Sequence, residues 1–263
     1  KSGGGGGKKK KGPPPSRQPS SQAGPGVVPV RSAQETEAAK QAYALKAAEI
    51  LAQQESDRHL GAVAKAVQTR AQEINEALDG KGYWVCDDFL PQDAGKAMLT
   101  ECGKLRTEGL MQPGQSTRWN AESGEVETYE KEGVMTMQLL GGEQYFLAPR
   151  LTEYVVKLTA EIAQVVNEKR PEVLLPTHQT NKLALCCKDG AEYLKHYDNQ
   201  GGDDRRKLTC LFYMNPSWAP EQGGCFRAFA PHDPAQYEDI SPTFGRFLCF
   251  WSDELVHSVQ PFF

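Results

Sequence analysis

The stretch KLTCLFYMN (residues 207–215) and the runs GCFRAFA (224–230), FGRFLCFW (244–251) and HSVQ (257–260) decide the fold class. Together with QTNKLALCC (179–187), they are short apolar runs, and turn-forming residues separate each from the next. Short strands at this spacing predict a β-sandwich or a jelly-roll barrel.

The segments before these runs predict helices and one more strand. A strand is predicted over Tyr83–Phe89, a helix from Pro91 to about Thr107, and an amphipathic helix from about Pro149 to Lys169. Met111–Gly133 is polar and irregular, so we expect a long loop that carries substrate contacts. Because helices come first and strands last, the sequence favours an α+β fold over a wound parallel sheet.

The N-terminal residues 1–32 differ from the rest of the chain in charge and composition. They contain five Lys and two Arg but no acidic residue, and since the whole chain carries −4, residues 33–263 carry −11. Gly and Pro dominate this segment, which predicts a disordered basic tail because it has little apolar surface to bury. The Lys8–Lys11 run fits a nuclear address or a weak phosphate-binding patch, but a simple solvated tail explains it as well.

Residues 33–80 predict a helical arm. Ser32 and Glu35 fit a capping box at its start, and a break within Ser56–Gly61 would divide it into two helices. The second helix carries an apolar stripe formed by Leu60, Val63, Val67, Ile74 and Leu78. We expect this stripe to pack on the following domain, whereas the first helix is open to a partner or to dimerisation.

Length and composition limit the class of protein. A chain of 263 residues with 39% hydrophobic residues is long enough for one domain with a true core. No run approaches the roughly 18 apolar residues of a membrane span, and the start lacks the apolar core of a secretory signal, so we expect a cytoplasmic or nuclear protein. The seven cysteines are an odd number without a Cys-x-x-Cys pair, which favours buried free thiols over disulfides or a zinc knuckle.

His196-Tyr197-Asp198 is the first candidate for chemistry. In extended chain the side chains of His196 and Asp198 point to the same side, and His257 follows as a third possible ligand. Two histidines and one carboxylate form the facial triad that holds non-haem iron(II) and leaves coordination positions open. Zinc accepts the same ligand set, and taken alone the residues also fit a loop histidine beside a turn aspartate.

Further motifs surround these residues in a fixed order. They are HYDN (196–199), LTCLFYMN (208–215), Trp218, GGCFRAF (223–229), FWSD (250–253) and HSVQP (257–261). They closely resemble the prolyl hydroxylase domain of iron(II)- and 2-oxoglutarate-dependent dioxygenases, nearest to the oxygen-sensing branch that modifies hypoxia-inducible factor. GYWVCDDFL (82–90) resembles the opening strand of that domain. The resemblance covers about residues 81–263 and implies a double-stranded β-helix, the jelly-roll core of the family.

The resemblance also implies roles for individual residues. It makes the iron ligands His196, Asp198 and His257. Tyr213 takes the place of the tyrosine that donates its hydroxyl to the distal carboxylate of 2-oxoglutarate. Thr209 and Leu211 share the strand face of Tyr213 by parity, so all three are predicted to line the barrel interior.

Three further positions match the family. Phe226 matches a residue that lines the cosubstrate pocket, Val259 matches a wall beside the iron, and Tyr193 matches a tyrosine near the peptide substrate. Phe226 and Val259 also fit plain core positions. A tyrosine in the core with a satisfied hydroxyl is the alternative for Tyr213.

The chain departs from the family at two places. Cys186 stands where the oxygen-sensing enzymes have a second tyrosine near the cosubstrate. The family also places an arginine about nine residues after the second histidine, but this sequence stops at Phe263, six residues after His257. We therefore expect that the last barrel strand is missing and that the natural chain extends further. Lys207 and Arg227 are not expected to replace that arginine, because one is too distant and the other points away from Phe226.

The function implied by the resemblance is 4-hydroxylation of prolyl residues in a protein substrate. Iron(II) is the expected cofactor, 2-oxoglutarate and O2 are the cosubstrates, and L-ascorbate is the reductant. The partner is a protein with a target proline; a membrane or nucleic acid is not expected. Two alternatives stay open: a hydroxylase of the same fold with another protein target, and an inactive interaction module that lacks the arginine. A zinc hydrolase is less compatible with Tyr213 and the ordered motifs.

Overall fold

The computed structural model describes residues 33–120, 123–175 and 178–263. Its helices are α1 (Ala33–Gln68), α2 (Ala71–Gly80), α3 (Gln92–Thr107), α4 (Gln144–Leu147) and α5 (Pro149–Lys169). Its strands are β1 (Tyr83–Cys86), β2 (Gln112–Asn120), β3 (Glu125–Gln138), β4 (Lys182–Cys186), β5 (Tyr193–His196), β6 (Leu208–Phe212), β7 (Phe226–Ala230), β8 (Asp233–Ile240), β9 (Phe247–Trp251) and β10 (His257–Val259). The predicted tail over 1–32 and the cap at Ser32 lie outside the described residues.

The chain divides into two units, one that ends at Glu49 and one that comprises residues 50–263. In the first unit, the described residues form the start of α1. Their side chains are almost all exposed, including those of Tyr43 and Leu45. Everything below concerns the second unit.

The predicted break within Ser56–Gly61 is wrong, because α1 runs through this segment to Gln68. Tertiary contacts offset the weak helix propensity there: the Ser56 hydroxyl donates to Glu153 at 2.6 Å, and the ring of the buried His59 bonds to a backbone carbonyl. The helix ends instead at Gln68, and the hydroxyl of the next residue, Thr69, donates to the Lys65 carbonyl. Local propensity is a weak determinant where packing fixes the chain.

Two antiparallel sheets form the centre of the fold. One has the strand order β1-β9-β6 and the other has the order β5-β10-β7-β8. A buried cluster between them includes Tyr83, Phe226, Ile240, Leu248 and Phe250. This sandwich of antiparallel sheets agrees with the predicted jelly roll and with the α+β class.

The opposite face of β9 packs against the helices. Phe247, Cys249 and Trp251 lie in the larger core, whereas Leu248 and Phe250 point into the sandwich, as the period of two requires. The larger core also contains most of the stripe predicted on the second half of the arm, namely Val63, Val67, Ile74 and Leu78. Because both faces of β9 are covered, all five of its residues are buried.

The predicted loop at Met111–Gly133 is wrong. Its residues build β2 and most of the 14-residue β3, an antiparallel hairpin that β4 extends to a third sheet. Backbone pairing with β4 at Val134↔Cys186 and beyond holds β3 in place. The prediction missed the hairpin because most of the described side chains in this segment are exposed, so its strands lack the apolar alternation that would reveal them.

Most predicted boundaries elsewhere agree with the structure. Helix α5 covers the predicted range, α3 begins at Gln92, and the five predicted late strands all form within their runs. β1 ends before the predicted Phe89, because Asp88 adopts a positive φ of 50°. Strands β5 and β8 were not predicted, and a further strand beyond Phe263 stays a prediction.

The expectations about membrane-spanning helices and about the cysteines can both be compared with the described residues. Among the described helices, none combines the length and the apolar character that a bilayer crossing requires. All seven cysteines are free thiols, of which Cys249 is buried and Cys187 is exposed.

Replacing Gly61 tests the continuity of α1. A Cβ at this exposed helical position would contact nothing within 4 Å. Gly61→Ala should therefore raise the free energy of unfolding by up to about 1 kcal/mol, the helix-interior difference between the two residues. Chemical denaturation monitored by circular dichroism measures this change.

Gly133→Ala is the matched control for that experiment. Gly133 has a φ of 72°, and a Cβ there would lie 2.6 Å from the Lys188 Cβ, so this variant should lose about 1 kcal/mol or more. A loss of stability in Gly61→Ala would contradict a continuous α1.

Candidate metal centre

The pairing of β5 with β10 brings the two candidate histidines together. His196 is the last residue of β5, His257 is the first of β10, and the two are direct partners in the antiparallel register. Their ring centroids lie 4.3 Å apart. Asp198 follows β5 by two residues, and its Oδ1 lies 3.4 Å from His196 Nε2 and 3.7 Å from His257 Nε2.

Both imidazoles are held in one tautomer by the backbone. His196 Nδ1 donates to the Leu194 carbonyl at 2.6 Å, and His257 Nδ1 donates to the Leu255 carbonyl at 3.1 Å. A carbonyl oxygen can only accept, so Nδ1 carries the proton in each neutral ring. The Nε2 lone pairs are therefore free and face Asp198, which is the arrangement of histidines that bind a metal.

A chain of hydroxyl groups orients Asp198. Thr209 Oγ1 donates to Asp198 Oδ2 at 2.7 Å and lies 2.9 Å from Ser252 Oγ, from which it accepts. The buried Asn199 fixes the loop that follows, because its amide nitrogen donates to the carbonyls of Asp204 and Arg206. Oδ1 of Asp198 is thereby left to face the imidazoles.

Local electrostatics favour the metal-binding protonation states. Burial lowers the pKa of His257, which keeps its ring neutral. Burial acts to raise the pKa of Asp198, but the two neighbouring imidazoles and the Thr209 hydroxyl outweigh it and leave the pKa lowered. A neutral imidazole and an ionised carboxylate are the forms that coordinate a cation.

The described residues contain one group of three that can share a metal ion, and it is this one. The ligand atoms of His196, Asp198 and His257 lie within 4.8 Å of one another. Two atoms that each bind one ion at about 2.1 Å are at most about 4.2 Å apart, so small side-chain rotations would bring these ligand atoms to binding distance. Three ligands on one side leave positions open on the other, which suits iron(II) and is compatible with zinc.

Aromatic rings form the wall behind His257. Phe226 stacks on the imidazole at 4.8 Å with an interplanar angle of 15°, and Phe250 meets it edge-on at 4.8 Å. Phe226 was predicted to line the cosubstrate pocket, and here it contacts a candidate metal ligand directly. This apolar wall restricts water around the ring.

The other predicted cosubstrate residues lie in the cluster between the sheets. Leu211, Tyr213 and Val259 all pack against it, on the parity predicted for the interior face. Burial raises the pKa of Tyr213, whereas the positive charge of Arg246 acts in the opposite direction. Thr209 shares this parity but donates to Asp198, so the structure places it beside a candidate metal ligand.

Tyr193, the predicted substrate residue, lies beside the candidate ligand His196. Its ring is parallel to that of His196 within 24°, with centroids 6.5 Å apart. Val259 is its partner on β10. Burial raises the pKa of the Tyr193 phenol to about 12, so the hydroxyl is protonated at neutral pH.

The basic residues considered in the sequence are engaged elsewhere. Lys207 pairs with Asp253, and Arg227 forms a two-point pair with Asp239 at 2.7 Å for each bond. Arg246, which the sequence reasoning missed, lies close enough to Tyr213 to influence its pKa, but its guanidinium donates to both oxygens of Asp87. The sequence reasoning also missed Lys131, because its segment was assigned to a loop.

Comparison with known proteins agrees with this site. Residues 182–263, which include all three candidate ligands, match the model of the 2OG-Fe(II) oxygenase superfamily. The chain thus contains a 2OG-Fe(II) oxygenase domain, and its homologues include the Egl nine prolyl hydroxylases.

Rat Egl nine homolog 1 (Rattus norvegicus) is 28% identical over 199 residues, which are 74% of this chain and 56% of that protein. Human prolyl hydroxylase EGLN3 is 27% identical over 196 residues, 72% of this chain and 76% of that protein. The chain thus spans little more than half the length of rat Egl nine homolog 1.

A solved structure supports the fold. A prolyl hydroxylase from Trichoplax adhaerens, in complex with a hypoxia inducible factor peptide, superposes with a TM-score of 0.57 at 22% identity. The match covers 75% of this chain and 85% of that one. At this identity the likeness establishes the shared architecture of antiparallel sheets and helices.

Removing one imidazole tests the metal centre. His196→Ala should weaken binding of Fe(II) or Mn(II) by more than the roughly 10–100-fold that loss of an outer partner costs, because one of three ligands is gone. Anaerobic calorimetric titration measures the affinity. His232→Ala is the matched control, since His232 is exposed between β7 and β8. Equal affinities for the two variants would contradict this site.

Thr209 provides a second test. Thr209→Val removes the hydrogen bond to Asp198 while it preserves side-chain shape, so metal affinity should fall by roughly tenfold. Thr209→Ser retains the hydroxyl and should recover most of that loss in the same titration. If serine and valine behave alike, the hydroxyl does not orient the carboxylate.

Proposed function

We propose that this protein is an iron(II)- and 2-oxoglutarate-dependent dioxygenase that hydroxylates prolyl residues in a protein substrate. One observation carries the proposal: His196, Asp198 and His257 converge in a segment that matches the 2OG-Fe(II) oxygenase superfamily. The prolyl hydroxylase homologues favour proline as the target class. The reaction converts 2-oxoglutarate, O2 and a prolyl residue to succinate, CO2 and a hydroxyprolyl residue.

The three ligands would hold iron(II) in this protein. The metal, when bound, supplies the oxygen activation that is coupled to decarboxylation of the cosubstrate. The protein supplies orientation: the Nδ1 hydrogen bonds and the Thr209 hydroxyl fix the directions of the three ligand side chains. Phe226 and Phe250 exclude water behind His257.

The cluster between the sheets is the proposed 2-oxoglutarate pocket. Tyr213 keeps its proton because burial raises its pKa, so it can donate a hydrogen bond to the distal carboxylate. Leu211 and Val259 pack with it and would contact the carbon chain of the cosubstrate. Thr209 lies at the metal end of the same face.

The protein substrate would enter past Tyr193. This ring covers one side of His196 and lies between the sandwich and the β2–β3 hairpin, whose Lys131 contacts it. The Trichoplax enzyme was solved with a hypoxia inducible factor peptide, and we propose a peptide of comparable kind here. L-ascorbate as reductant and a cytoplasmic or nuclear location belong to the same proposal.

Product analysis tests the function. The protein is incubated with Fe(II), 2-oxoglutarate, O2 and proline-containing peptides from oxygen-sensing transcription factors, and the peptides are sequenced by mass spectrometry. We expect one added oxygen on a proline and one succinate per hydroxylation. His196→Ala should form neither product, whereas His232→Ala should match the wild type. Oxygen on another residue type would exclude the substrate class, and absence of succinate would exclude the reaction.

A further inference from the structure

An irregularity in the β2–β3 hairpin directs one side chain to the metal site. Pro113 pairs with Met135, but the next pair joins Gln115 to Glu130, so Gly114 faces residues 131–134. These four residues opposite one form a long bulge on β3. Bulges turn side chains away from the regular alternation of a strand, and they are frequent beside active sites.

Close packing holds the bulge in position. Gly133 adopts a φ of 72°, its carbonyl accepts a bond from the Cys187 amide at 2.8 Å, and a Cβ would meet Lys188 at 2.6 Å. Immediately afterwards, Val134 pairs with Cys186 of β4. The bulge is thus fixed against the strand that leads to β5 and the first ligand.

Lys131 lies in the bulge and points towards the site. Its Nζ lies 3.9 Å from the centroid of the Tyr193 ring, which is itself stacked with His196. Its charge also acts on His257 and Cys186. The ammonium therefore lies on the His196 side of the site.

The part of the chain that the structure describes gives this ammonium no ion pair. Among the described carboxylates none lies within ion-pairing distance of Lys131 Nζ: Glu132 pairs with Lys188, and Asp198 faces the imidazoles. Burial, with the charge of Lys182, lowers the pKa of Lys131 to about 8, although Asp198 and Cys186 act against this shift. The group is still mostly charged at neutral pH, and a half-buried cation is stabilised by an incoming anion.

We propose that Lys131 binds 2-oxoglutarate by donating a charge-assisted hydrogen bond to the carboxylate at its metal-binding end. This inference rests on the proposed function. Cys186, which pairs with Val134 directly after the bulge, carries only a weak S–H donor, whereas the Lys131 ammonium is a charged donor. The bulge and the Tyr193 ring hold the ammonium next to the candidate ligand His196, where a cosubstrate bound at the metal would approach.

Binding measurements on the metal-loaded protein test this assignment. Wild type, Lys131→Met and Lys131→Arg are saturated anaerobically with Fe(II) and titrated calorimetrically with 2-oxoglutarate and with 2-oxopentanoate, which lacks the distal carboxylate. Lys131→Met should weaken both ligands about tenfold, the factor that 1.4 kcal/mol corresponds to. Lys131→Arg keeps a cationic donor and should lose less.

Lys96→Met is the matched control. Lys96 is exposed on α3, and this variant removes the same charge from a different element, so its affinity for both ligands should equal that of the wild type. A loss in Lys131→Met for 2-oxoglutarate alone would move the contact to the distal carboxylate and overturn the assignment. Unchanged affinity for both ligands, with a raised KM for the peptide, would assign Lys131 to the protein substrate instead.

The outcomes separate this inference from the proposed function. If wild-type protein saturated with Fe(II) binds neither keto acid, both the function and the inference fail. If wild type binds 2-oxoglutarate and forms succinate while Lys131→Met binds it equally well, only the role of Lys131 is overturned. A fall in affinity in Lys131→Met with unchanged Fe(II) affinity supports it.

Discussion

The antiparallel pairing of β5 with β10 is the contact on which the site depends. It makes His196 and His257 direct neighbours although 60 residues separate them in the chain. Asp198 reaches the same point only because β5 ends at His196 and the chain turns at Asn199. A shift of this register by one residue would direct one imidazole to the other face of the sheet and separate the ligands.

Packing on β9 makes that register rigid. Leu248 and Phe250 fill the sandwich next to the metal ligands, while Phe247, Cys249 and Trp251 anchor the same strand to the helices. Phe250 links β9 directly to the candidate site, because its ring contacts His257. The helical layer therefore supports the site without contributing a ligand, and loss of packing there would loosen the histidine pair.

The β2–β3 hairpin contributes a further side chain beside the candidate ligands. Its outer part is polar, and its inner part is held by β4 and by the bulge at residues 131–134. Lys131 and Tyr193 meet where this hairpin approaches the sandwich. The fixed sandwich thus holds the metal ligands, whereas the hairpin contributes groups that face incoming molecules, which is the usual division between scaffold and connecting segments.

The sequence by itself determined much of this protein, namely the α+β class, α3, α5 and the five late strands, and it singled out the three candidate ligands. Those features follow from local periodicity and from short motifs whose spacing is visible in one dimension. The continuity of α1 at Gly61 and the β2–β3 hairpin were decided by tertiary contacts, because packing and inter-strand pairing outweigh weak local propensities. The placement of Lys131 was also decided by the folded structure, because a bulge directs it. The same holds for the hydrogen bonds of Thr209 with Asp198 and Ser252, since no periodic pattern relates these residues.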